Sequence, residues 1–368
     1  MNGTATVYAL VSGGGTGGHV YPALALAQEL VARGHAPEAI RFVGAERGIE
    51  ATAVPAAGFD VELLPGRGLL RSWSPRAVAR NARAAWDNVV AFKRAVALVR
   101  RTRPAVVVGV GAYASLPALV AAAALRIPMV VHEADAQPGL ANRIAVRLGA
   151  RAAVSFPGTP LRNAVVTGNP IRPAIVAVDR RPSTPALVAV VGGSLGAHRL
   201  NNAALELADL WGDREDVAIH HVSGVRDYEE CRVRLEACRE PGDRLDYRLV
   251  RFEEHMENLY QDAAIIVSRA GGMTAELAAV GMPAVLVPLP GAPGDHQTKN
   301  AEAFARAGAA VVVADAQLDG ARLSRELDTL LRNPARLAGM SEAARSLARP
   351  DATRAFADLV ERAARGID

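Results

Sequence analysis

The sequence predicts an α/β protein of two doubly wound, Rossmann-like domains that face a cleft. The chain of 368 residues is longer than one hydrophobic core usually serves. Apolar runs of strand length alternate with helical patterns, as in βαβ units with a parallel sheet. This pattern stops in a proline-rich stretch at 168–185 and then begins again. We therefore predict an N-terminal domain at 1–167, a linker at 168–185 and a C-terminal domain at 186–368, with the last helix able to pack back on the first domain.

The predicted strands and helices follow one another in a regular order. In the first half, strands are predicted at Val7–Val11, Ile40–Val43, Val61–Leu64, Val106–Val110, Met129–His132 and Ala152–Val154. Helical patterns lie near residues 19–33, 76–102 and 113–125. In the second half, strands are predicted at Leu187–Val191, Ala218–Val222, Tyr247–Val250, Ala264–Ser268, Ala284–Pro288 and Ala310–Val313, and helices follow Leu318. Ligands of such sheets bind outside the carboxyl ends of the strands, so we expect the functional residues there.

Composition argues against several protein classes. Cys231 and Cys238 are the only cysteines, and their spacing offers neither a zinc site nor a disulfide framework. The N-terminal residues resemble a first strand rather than a signal peptide. The longest apolar stretch, residues 112–125, is too short to span a bilayer. We therefore expect a protein of the cytosol or of a membrane surface.

Positive charge is concentrated in the first half of the chain. Residues 1–165 contain 18 Lys and Arg against 9 Asp and Glu, and Asp87 is the only acidic residue between Arg67 and Arg103. Apolar and basic residues alternate there, which is typical of a segment that binds an anionic membrane surface. The residues predicted to do so are Leu69, Leu70, Arg71, Trp73, Arg76 and Arg80. A solvated helix face and a nucleic-acid site are the alternatives, and we favour the membrane over nucleic acid.

A glycine-rich turn joins the first predicted strand to the first predicted helix. Residues 11–20 read VSGGGTGGHV. Glycine lets the backbone approach a ligand closely, and the amides and positive dipole end of a helix N-terminus favour an anion. We therefore predict a diphosphate site at Gly14, Gly15, Thr16, Gly17 and Gly18. The alternative is a tight turn that binds no ligand.

Two further glycine-rich turns occur in the second half. The first, VVGGSLGAH at 190–198, follows the first strand of that half, and the second, SRAGGMTAELAAVGMP at 268–283, contains Thr274 and Glu276 near the start of a helix. Amides and a hydroxyl there could hold phosphate, while a carboxylate accepts from ribose hydroxyls. A capped helix without a ligand is the alternative. The full dinucleotide fingerprint is absent, which disfavours an oxidoreductase.

Six motifs in one order carry a resemblance to a known family. They are GGTGGH, VHEADAQPGLANR at 131–143, GNPIR at 168–172, GGSLGA at 192–197, RAGG and DHQTKNA at 295–301. The chain resembles the MurG family, bacterial transferases that move N-acetylglucosamine from UDP-N-acetylglucosamine to the 4-hydroxyl of undecaprenyl-diphosphate-linked N-acetylmuramoyl-pentapeptide in peptidoglycan synthesis. The resemblance implies a GT-B fold, an inverting reaction without metal or other cofactor, and peripheral attachment to the cytoplasmic face of the bacterial cell membrane.

The resemblance also implies roles for individual residues. His19 is the leading candidate to take the proton of the acceptor hydroxyl, with phosphate binding or loop capping as its alternative role, and Glu133 is the rival base. The glycine-rich loop at 14–18 matches the acceptor-diphosphate site. The donor-binding positions are matched by Thr16, Gly17, Gly18, Asp135, Arg172, Ser194, Glu253, Gly272, Met273, Thr274, Glu276, Gln297 and Asn300.

Two departures from the family pattern fall in donor-contacting loops. Ala134 and Asp135 follow His132 and Glu133, where the family usually has Gln and Asn, so a carboxylate replaces an amide. Thr274 and Glu276 are two residues apart, where most members have three. These departures keep open a related transferase with another donor or acceptor, as in antibiotic synthesis or resistance. A sugar-nucleotide binder without catalysis is a further alternative.

Overall fold

The computed structural model describes residues 7–15, 17–46, 48–65, 75–193, 196–292 and 295–367, and residues 75–85 by their backbone alone. The chain divides into two compact units. Unit 1 consists of Met1–Arg172 together with Asp351–Asp368, and unit 2 consists of Pro173–Pro350. The boundary between the units thus falls inside the stretch that the sequence marks as a linker.

Each unit contains one sheet whose strand pairs are all parallel. The sheet of unit 1 has the order β3-β2-β1-β4-β5-β6-β7, formed by β1 (Ala9–Ser12), β2 (Ile40–Ala45), β3 (Asp60–Leu64), β4 (Val106–Gly109), β5 (Met129–Glu133), β6 (Arg151–Val154) and β7 (Ala164–Val166). The sheet of unit 2 has the order β10-β9-β8-β11-β12-β13, formed by β8 (Ala186–Val191), β9 (Val217–Val222), β10 (Asp246–Val250), β11 (Ala263–Ser268), β12 (Ala284–Leu286) and β13 (Ala310–Val312).

Both units also contain α-helices, which are numbered along the chain. They are α1 (Gly17–Ala32), α2 (Glu50–Ala56), α3 (Pro75–Thr102), α4 (Leu116–Ala124), α5 (Leu140–Arg147), α6 (Pro173–Val176), α7 (His198–Leu210), α8 (Tyr228–Cys238), α9 (Met256–Asp262), α10 (Met273–Val280), α11 (His296–Ala307), α12 (Gly320–Leu331), α13 (Pro334–Ser346) and α14 (Ala352–Ala364).

The sheet of unit 1 is covered on both faces. Successive side chains of a strand point to opposite faces, and β1 shows the result directly. Ala9 and Val11 belong to one apolar core with Leu26 of α1, whereas Leu10 belongs to a second core with Leu119 of α4. Because both faces are buried, the central strands are continuous apolar runs, which is why the sequence predicts them so clearly.

The last helix, α14, packs within unit 1. Phe356 is fully buried, and its ring centroid lies 5.0 Å from that of His132 on β5. Arg33, just after α1, donates to Asp358 at 2.6 Å and forms an ion pair with Glu361. Residues 351–368 therefore share a core with the first half of the chain, although they follow the second half in sequence.

Unit 2 has its own core on one face of its sheet. Val188 and Val190 of β8 pack there with Leu200 and Leu207 of α7 and with Leu327 of α12, and all five are fully buried. Each strand predicted from the sequence has a counterpart in the structure, so the predicted class of two doubly wound α/β domains is confirmed. In the first half of the chain, the prediction missed β7, α2 and α5, whose three, seven and eight residues are too few for a clear periodicity.

Candidate active site

In unit 1, the predicted site residues lie in loops at the carboxyl ends of neighbouring strands. β1, β4 and β5 are adjacent in the sheet. The glycine-rich loop follows β1, Gly111 follows β4, and Asp135 follows β5. Because carboxyl ends of adjacent parallel strands meet at one edge, this arrangement forms the site that a doubly wound sheet normally offers to ligands.

The glycine-rich loop is held by a buried acidic residue that the sequence analysis missed. The amide of Gly15 donates to Oε2 of Glu50 at 2.9 Å, and the amide of Ala45 donates to Oε1 of Glu50 at 2.7 Å. Glu50 is 1% exposed. Gly15 was predicted to bind diphosphate, yet its amide points to this carboxylate. Gly17 and Gly18 were also predicted to bind diphosphate. They are the first two residues of α1, so their amides lie in the first turn of that helix.

His19, the third residue of α1, is partly buried beside the loop that follows β4. A Cβ atom at Gly111 would lie 2.8 Å from both Cε1 and Nδ1 of the His19 ring. Gly111 has φ +92°, and Ala112 after it has φ 61°. A left-handed backbone without a side chain at position 111 therefore leaves the space in which the imidazole lies.

His132 lies at the end of β5 and is neutral at physiological pH. Its Nε2 donates to the carbonyl oxygen of Gly168 at 3.0 Å. Burial lowers the pKa of His132 to about 4, against the hydrogen bond to Gly168, and the charge of His19 lowers it further. This interaction indicates that the two imidazoles are near each other.

This neutral histidine should make unit 1 sensitive to acid. The unfolded chain protonates His132 near pH 6.5, whereas the folded chain does so near 4. The contribution of neutral His132 to the free energy of unfolding is therefore complete above pH 6.5. It is lost as the pH falls towards 4, at about 1.4 kcal/mol per pH unit. His132→Gln keeps a donor for Gly168 without a titrating group. We expect the stability advantage of the unmodified chain over this variant to shrink by about 2 kcal/mol from pH 7 to pH 5 in urea titrations. If the difference in stability between the two proteins is the same at pH 7 and pH 5, the pKa of His132 is not lowered by folding.

Glu133, the rival base, organises the loop that contains Asp135. Its Oε1 accepts from the amide of Asp135 at 3.1 Å, and its Oε2 accepts from the amide of Gly139 and from Nδ2 of Asn142, both at 2.9 Å. Burial raises the pKa of Glu133, although these hydrogen bonds lower it. With three donors on its carboxylate and 4% exposure, Glu133 is placed to position the loop rather than to meet a substrate hydroxyl.

Arg172 lies against α1 at the end of unit 1. Its guanidinium carbon is 4.3 Å from the centroid of the Tyr21 ring. A Cβ at Gly17 would lie 3.0 Å from that ring, so Tyr21 covers the start of α1. The predicted donor-binding arginine is therefore stacked beside the glycine-rich loop.

In unit 2, the predicted residues surround the loop between β11 and α10. The Thr274 hydroxyl donates to the carbonyl of Gly271 at 2.9 Å, and Nδ2 of Asn300 donates to the carbonyl of Ala270 at 2.9 Å. Oε1 of Gln297 accepts from the amide of Leu289 at 2.9 Å, and its Nε2 lies 3.8 Å from where a Cβ of Gly271 would be. The structure thus brings Gln297 and Asn300 of α11 next to the loop that precedes α10.

Glu276 lies in the first turn of α10, close to the same loop. Its Oε2 accepts from the hydroxyl of Tyr260 at 2.7 Å. Tyr260 is fully buried, so it fixes the direction of this carboxylate. Gly272 is the residue before α10 and Met273 is the first residue of the helix. The spacing of two residues between Thr274 and Glu276 accordingly places a buried hydroxyl and a partly buried carboxylate on one helical turn.

The turn after β8 is supported by a buried hydrogen-bond network. Asn201 of α7 donates to the Ser223 carbonyl at 3.0 Å, and its Oδ1 accepts from Nε2 of His221 at 3.0 Å. The hydroxyl of Tyr247 donates to Nδ1 of His221 at 2.8 Å. Burial lowers the pKa of His221 to about 3. This network ties α7 to β9 and β10 beside Gly196, where a Cβ would meet the Ser223 carbonyl at 2.3 Å.

The side chain of Glu253 contacts His220 and the backbone of His255. Its Oε2 lies 3.1 Å from Nε2 of His220, and its Oε1 accepts from the amide of His255 at 3.0 Å. These residues line a cavity of about 460 Å³ that also includes Leu187 and Asp246 near the starts of β8 and β10.

Several predicted site residues lie outside the described residues. They are Thr16, Ser194, Leu69, Leu70, Arg71 and Trp73, together with the side chains of Arg76 and Arg80. Among the residues that the structure does describe, no group of three or more His, Cys, Asp and Glu could hold a metal ion. No helix in the described ranges has the length and apolar character needed to cross a membrane.

Comparisons with known proteins show the family to which the chain belongs. The glycosyltransferase family 28 N-terminal domain matches residues 9–154, and the corresponding C-terminal domain matches residues 187–362. A relative from Alkalilimnicola ehrlichii, named UDP-N-acetylglucosamine–N-acetylmuramyl-(pentapeptide) pyrophosphoryl-undecaprenol N-acetylglucosamine transferase, is 41% identical and covers 96% of this chain and 98% of its own. A protein of the same name from Moorella thermoacetica is 40% identical, with 95% and 97% covered.

A solved structure supports the same relationship. The crystal structure of Acinetobacter baumannii MurG matches with a TM-score of 0.71 and 27% identity, over 97% of this chain and 99% of that one. The resemblance inferred from the six motifs is therefore confirmed along nearly the whole chain. This chain belongs to the MurG family within glycosyltransferase family 28.

Proposed function

We propose that this chain transfers N-acetylglucosamine from UDP-N-acetylglucosamine to the 4-hydroxyl of undecaprenyl-diphosphate-linked N-acetylmuramoyl-pentapeptide, a step of peptidoglycan synthesis. The observation that carries the proposal is the match, at 41% identity and over almost the full length of both chains, to a relative whose name states this reaction. Support also comes from the described residues that we assign to the reaction below, which in each unit lie in or beside loops that follow the carboxyl ends of the strands.

In unit 1, we assign acceptor binding and proton removal. The amides of Gly17 and Gly18 open α1, where the positive end of the helix dipole favours the acceptor diphosphate. His19 follows them directly. Its Nδ1 is buried beside Gly111, so we assign Nε2 as the atom that takes the proton of the attacking hydroxyl. An imidazole is suited to this task because its ordinary pKa is close to cytosolic pH.

In unit 2, we assign donor binding. The start of α10, with Gly272, Met273 and Thr274, would receive the UDP diphosphate. Glu276, oriented by Tyr260, would accept from ribose hydroxyls. Because Leu289 holds Oε1 of Gln297, its Nε2 is the group directed at Gly271, where it can donate to a sugar hydroxyl or to phosphate.

The reaction then proceeds by inversion. The acceptor oxygen forms a bond to the anomeric carbon of N-acetylglucosamine while the bond from that carbon to the UDP β-phosphate oxygen breaks. The hydroxyl proton passes to His19, and the negative charge that develops on UDP is stabilised by the amides and the dipole of α10. Asp135 lies in the loop that Glu133 organises, where the family has an amide, so we assign it a role in donor selection.

The test is a transfer assay with a water-soluble acceptor analogue and a panel of UDP-sugars. We expect transfer from UDP-N-acetylglucosamine in preference to the other donors. UDP should also raise the melting temperature while NAD should not, because a ligand stabilises only the state that it binds. Preference for another UDP-sugar would support the related transferase instead, and stabilisation by UDP without transfer would support a binder. Equal stabilisation by NAD would overturn the donor site.

We further propose that the chain attaches peripherally to the cytoplasmic face of the bacterial membrane through the segment Arg67–Arg103. Trp86 and Phe92 in the described part of α3 are 69% and 38% exposed. Each basic residue near an anionic surface contributes about 1 kcal/mol. Replacing Arg71, Arg76 and Arg80 with Glu should therefore weaken binding to anionic vesicles about 100-fold or more, because three attractions become repulsions.

Co-sedimentation with anionic and neutral vesicles at low and high salt measures this attachment. The matched control replaces the exposed residues Arg325, Arg336 and Arg349 of unit 2 with Glu, which changes the net charge by the same amount. We expect the control to bind like the unmodified chain and salt to weaken binding. Equal binding to both vesicle types, or equal loss in both triple variants, would contradict the proposal.

A further inference from the structure

We infer that Glu50 is a positioning residue for acceptor binding, an inference that rests on the proposed function. Its carboxylate holds the amide of Gly15 and thereby sets the conformation in which the glycine-rich loop presents the amides of Gly17 and Gly18 to a diphosphate. Neither the motifs nor the family resemblance pointed to this residue.

The first observation is the pair of hydrogen bonds. Glu50 begins α2, and its two oxygens accept from Gly15 after β1 and from Ala45 at the end of β2, at 2.9 and 2.7 Å. β1 and β2 are adjacent strands. One carboxylate thus connects the carboxyl ends of both strands, at the edge of the sheet where the acceptor site is proposed.

The second observation is the enclosure of this carboxylate by glycine. A Cβ at Gly14 would lie 1.9 Å from Oε1 of Glu50, one at Gly48 would lie 1.9 Å from Oε2, and one at Gly44 would lie 2.3 Å from Cγ. Three glycines, from the loop after β1, from the end of β2 and from the turn before α2, therefore make room for one side chain. A glutamate that only favoured the start of α2 by its charge would not need such an enclosure.

The third observation is the sign of the charge. A carboxylate behind an anion-binding loop opposes the ligand electrostatically, so anion affinity alone does not explain its presence. Five glycines in the loop allow many backbone conformations, and the bond to Gly15 removes much of that freedom before the ligand binds. The Gly15 amide is used for this purpose, which leaves the helix-opening amides for the diphosphate.

The test is Glu50→Gln, which keeps the size of the side chain. Both backbone partners are donors, so the NH2 group of glutamine meets one of them and a hydrogen bond is lost. We expect the KM for the soluble acceptor analogue to rise about 10-fold, while the KM for UDP-N-acetylglucosamine stays unchanged. A general loss of folding would not produce this split. The matched control is Glu38→Gln, which is exposed on the same unit and should leave both KM values unchanged.

A second variant keeps the charge of Glu50 but displaces it. Gly48→Ala places a methyl group against Oε2, the oxygen that holds Gly15, and should give the same split in KM. A third measurement is the amide proton resonance of Gly15 in protein labelled with [15N]glycine, which should move upfield in Glu50→Gln as the charged acceptor is lost.

These outcomes separate the inference from the proposed function. Equal changes in both KM values, or no change in either variant, would overturn the role of Glu50 while leaving transfer by the unmodified chain intact. An unmodified chain that transfers nothing to the acceptor analogue would overturn the proposed function, and the inference with it. An unmoved Gly15 resonance would show that the hydrogen bond to Glu50 does not hold the loop.

Discussion

Replacing His19 with alanine should lower kcat about 100-fold or more with the soluble acceptor analogue. General base catalysis contributes on this scale, and alanine leaves no group to take the proton of the attacking hydroxyl. The KM values should change little, because the diphosphate is assigned to the amides of Gly17 and Gly18. Steady-state kinetics at saturating donor measures both parameters. His35→Ala, at a residue that stacks on Tyr8 and bonds Glu361, is the matched histidine control in the same unit.

An effect of His19→Ala on KM rather than on kcat would change the role assigned to His19. If His19→Ala raises the acceptor KM and leaves kcat unchanged, His19 binds phosphate and another group takes the proton. Asp135 would then be the better candidate than Glu133, since the Glu133 carboxylate already accepts three hydrogen bonds. Asp135→Asn distinguishes the two roles: a variant that keeps its rate excludes Asp135 as the base, and a severe loss supports it.

Gly111→Ala should lower kcat about 100-fold without altering any proposed catalytic group. Its methyl would lie 2.8 Å from Cε1 and Nδ1 of His19, closer than real Cβ contacts allow, so the ring must move. A displacement of about 1 Å in a catalytic group can cost two orders of magnitude in rate. The expected readout is a fall in kcat with the acceptor analogue at full donor saturation.

The control for this variant is Gly149→Ala. Gly149 has φ +101° and Gly111 has φ +92°, so both substitutions impose a left-handed backbone on alanine and should cost about 1 kcal/mol of stability. A Cβ at Gly149 meets nothing within 4 Å. We expect Gly149→Ala to keep the kcat of the unmodified chain. Equal losses in both variants would show that backbone strain, rather than movement of His19, lowers the rate.

Much of the candidate site could be predicted from local sequence. The turns after β1, β8 and β11 are rich in glycine and stand between an apolar run and a helical pattern, so their type and place follow from a few consecutive residues. The hydrogen-bond partners of the side chains in these turns cannot be predicted from so few residues. Thr274 and Glu276 were predicted as ligand-binding residues, and only the structure shows that the Thr274 hydroxyl donates to the Gly271 carbonyl and that Glu276 accepts from Tyr260.

By itself, the sequence determined the alternation of strands and helices, the positions of the glycine-rich turns and the membership of the family, because each depends on residues close together or on motifs in order. Only the tertiary structure decided that Glu50 holds Gly15, that Glu133 is bonded by Gly139 and Asn142, and that α14 belongs to unit 1. The contacts of Glu50 and of α14 join segments that are far apart in sequence, and those of Glu133 depend on how the loop after β5 folds back on it. A carboxylate has no preference among amides until sheet order and burial bring particular donors to it, and that is settled by packing.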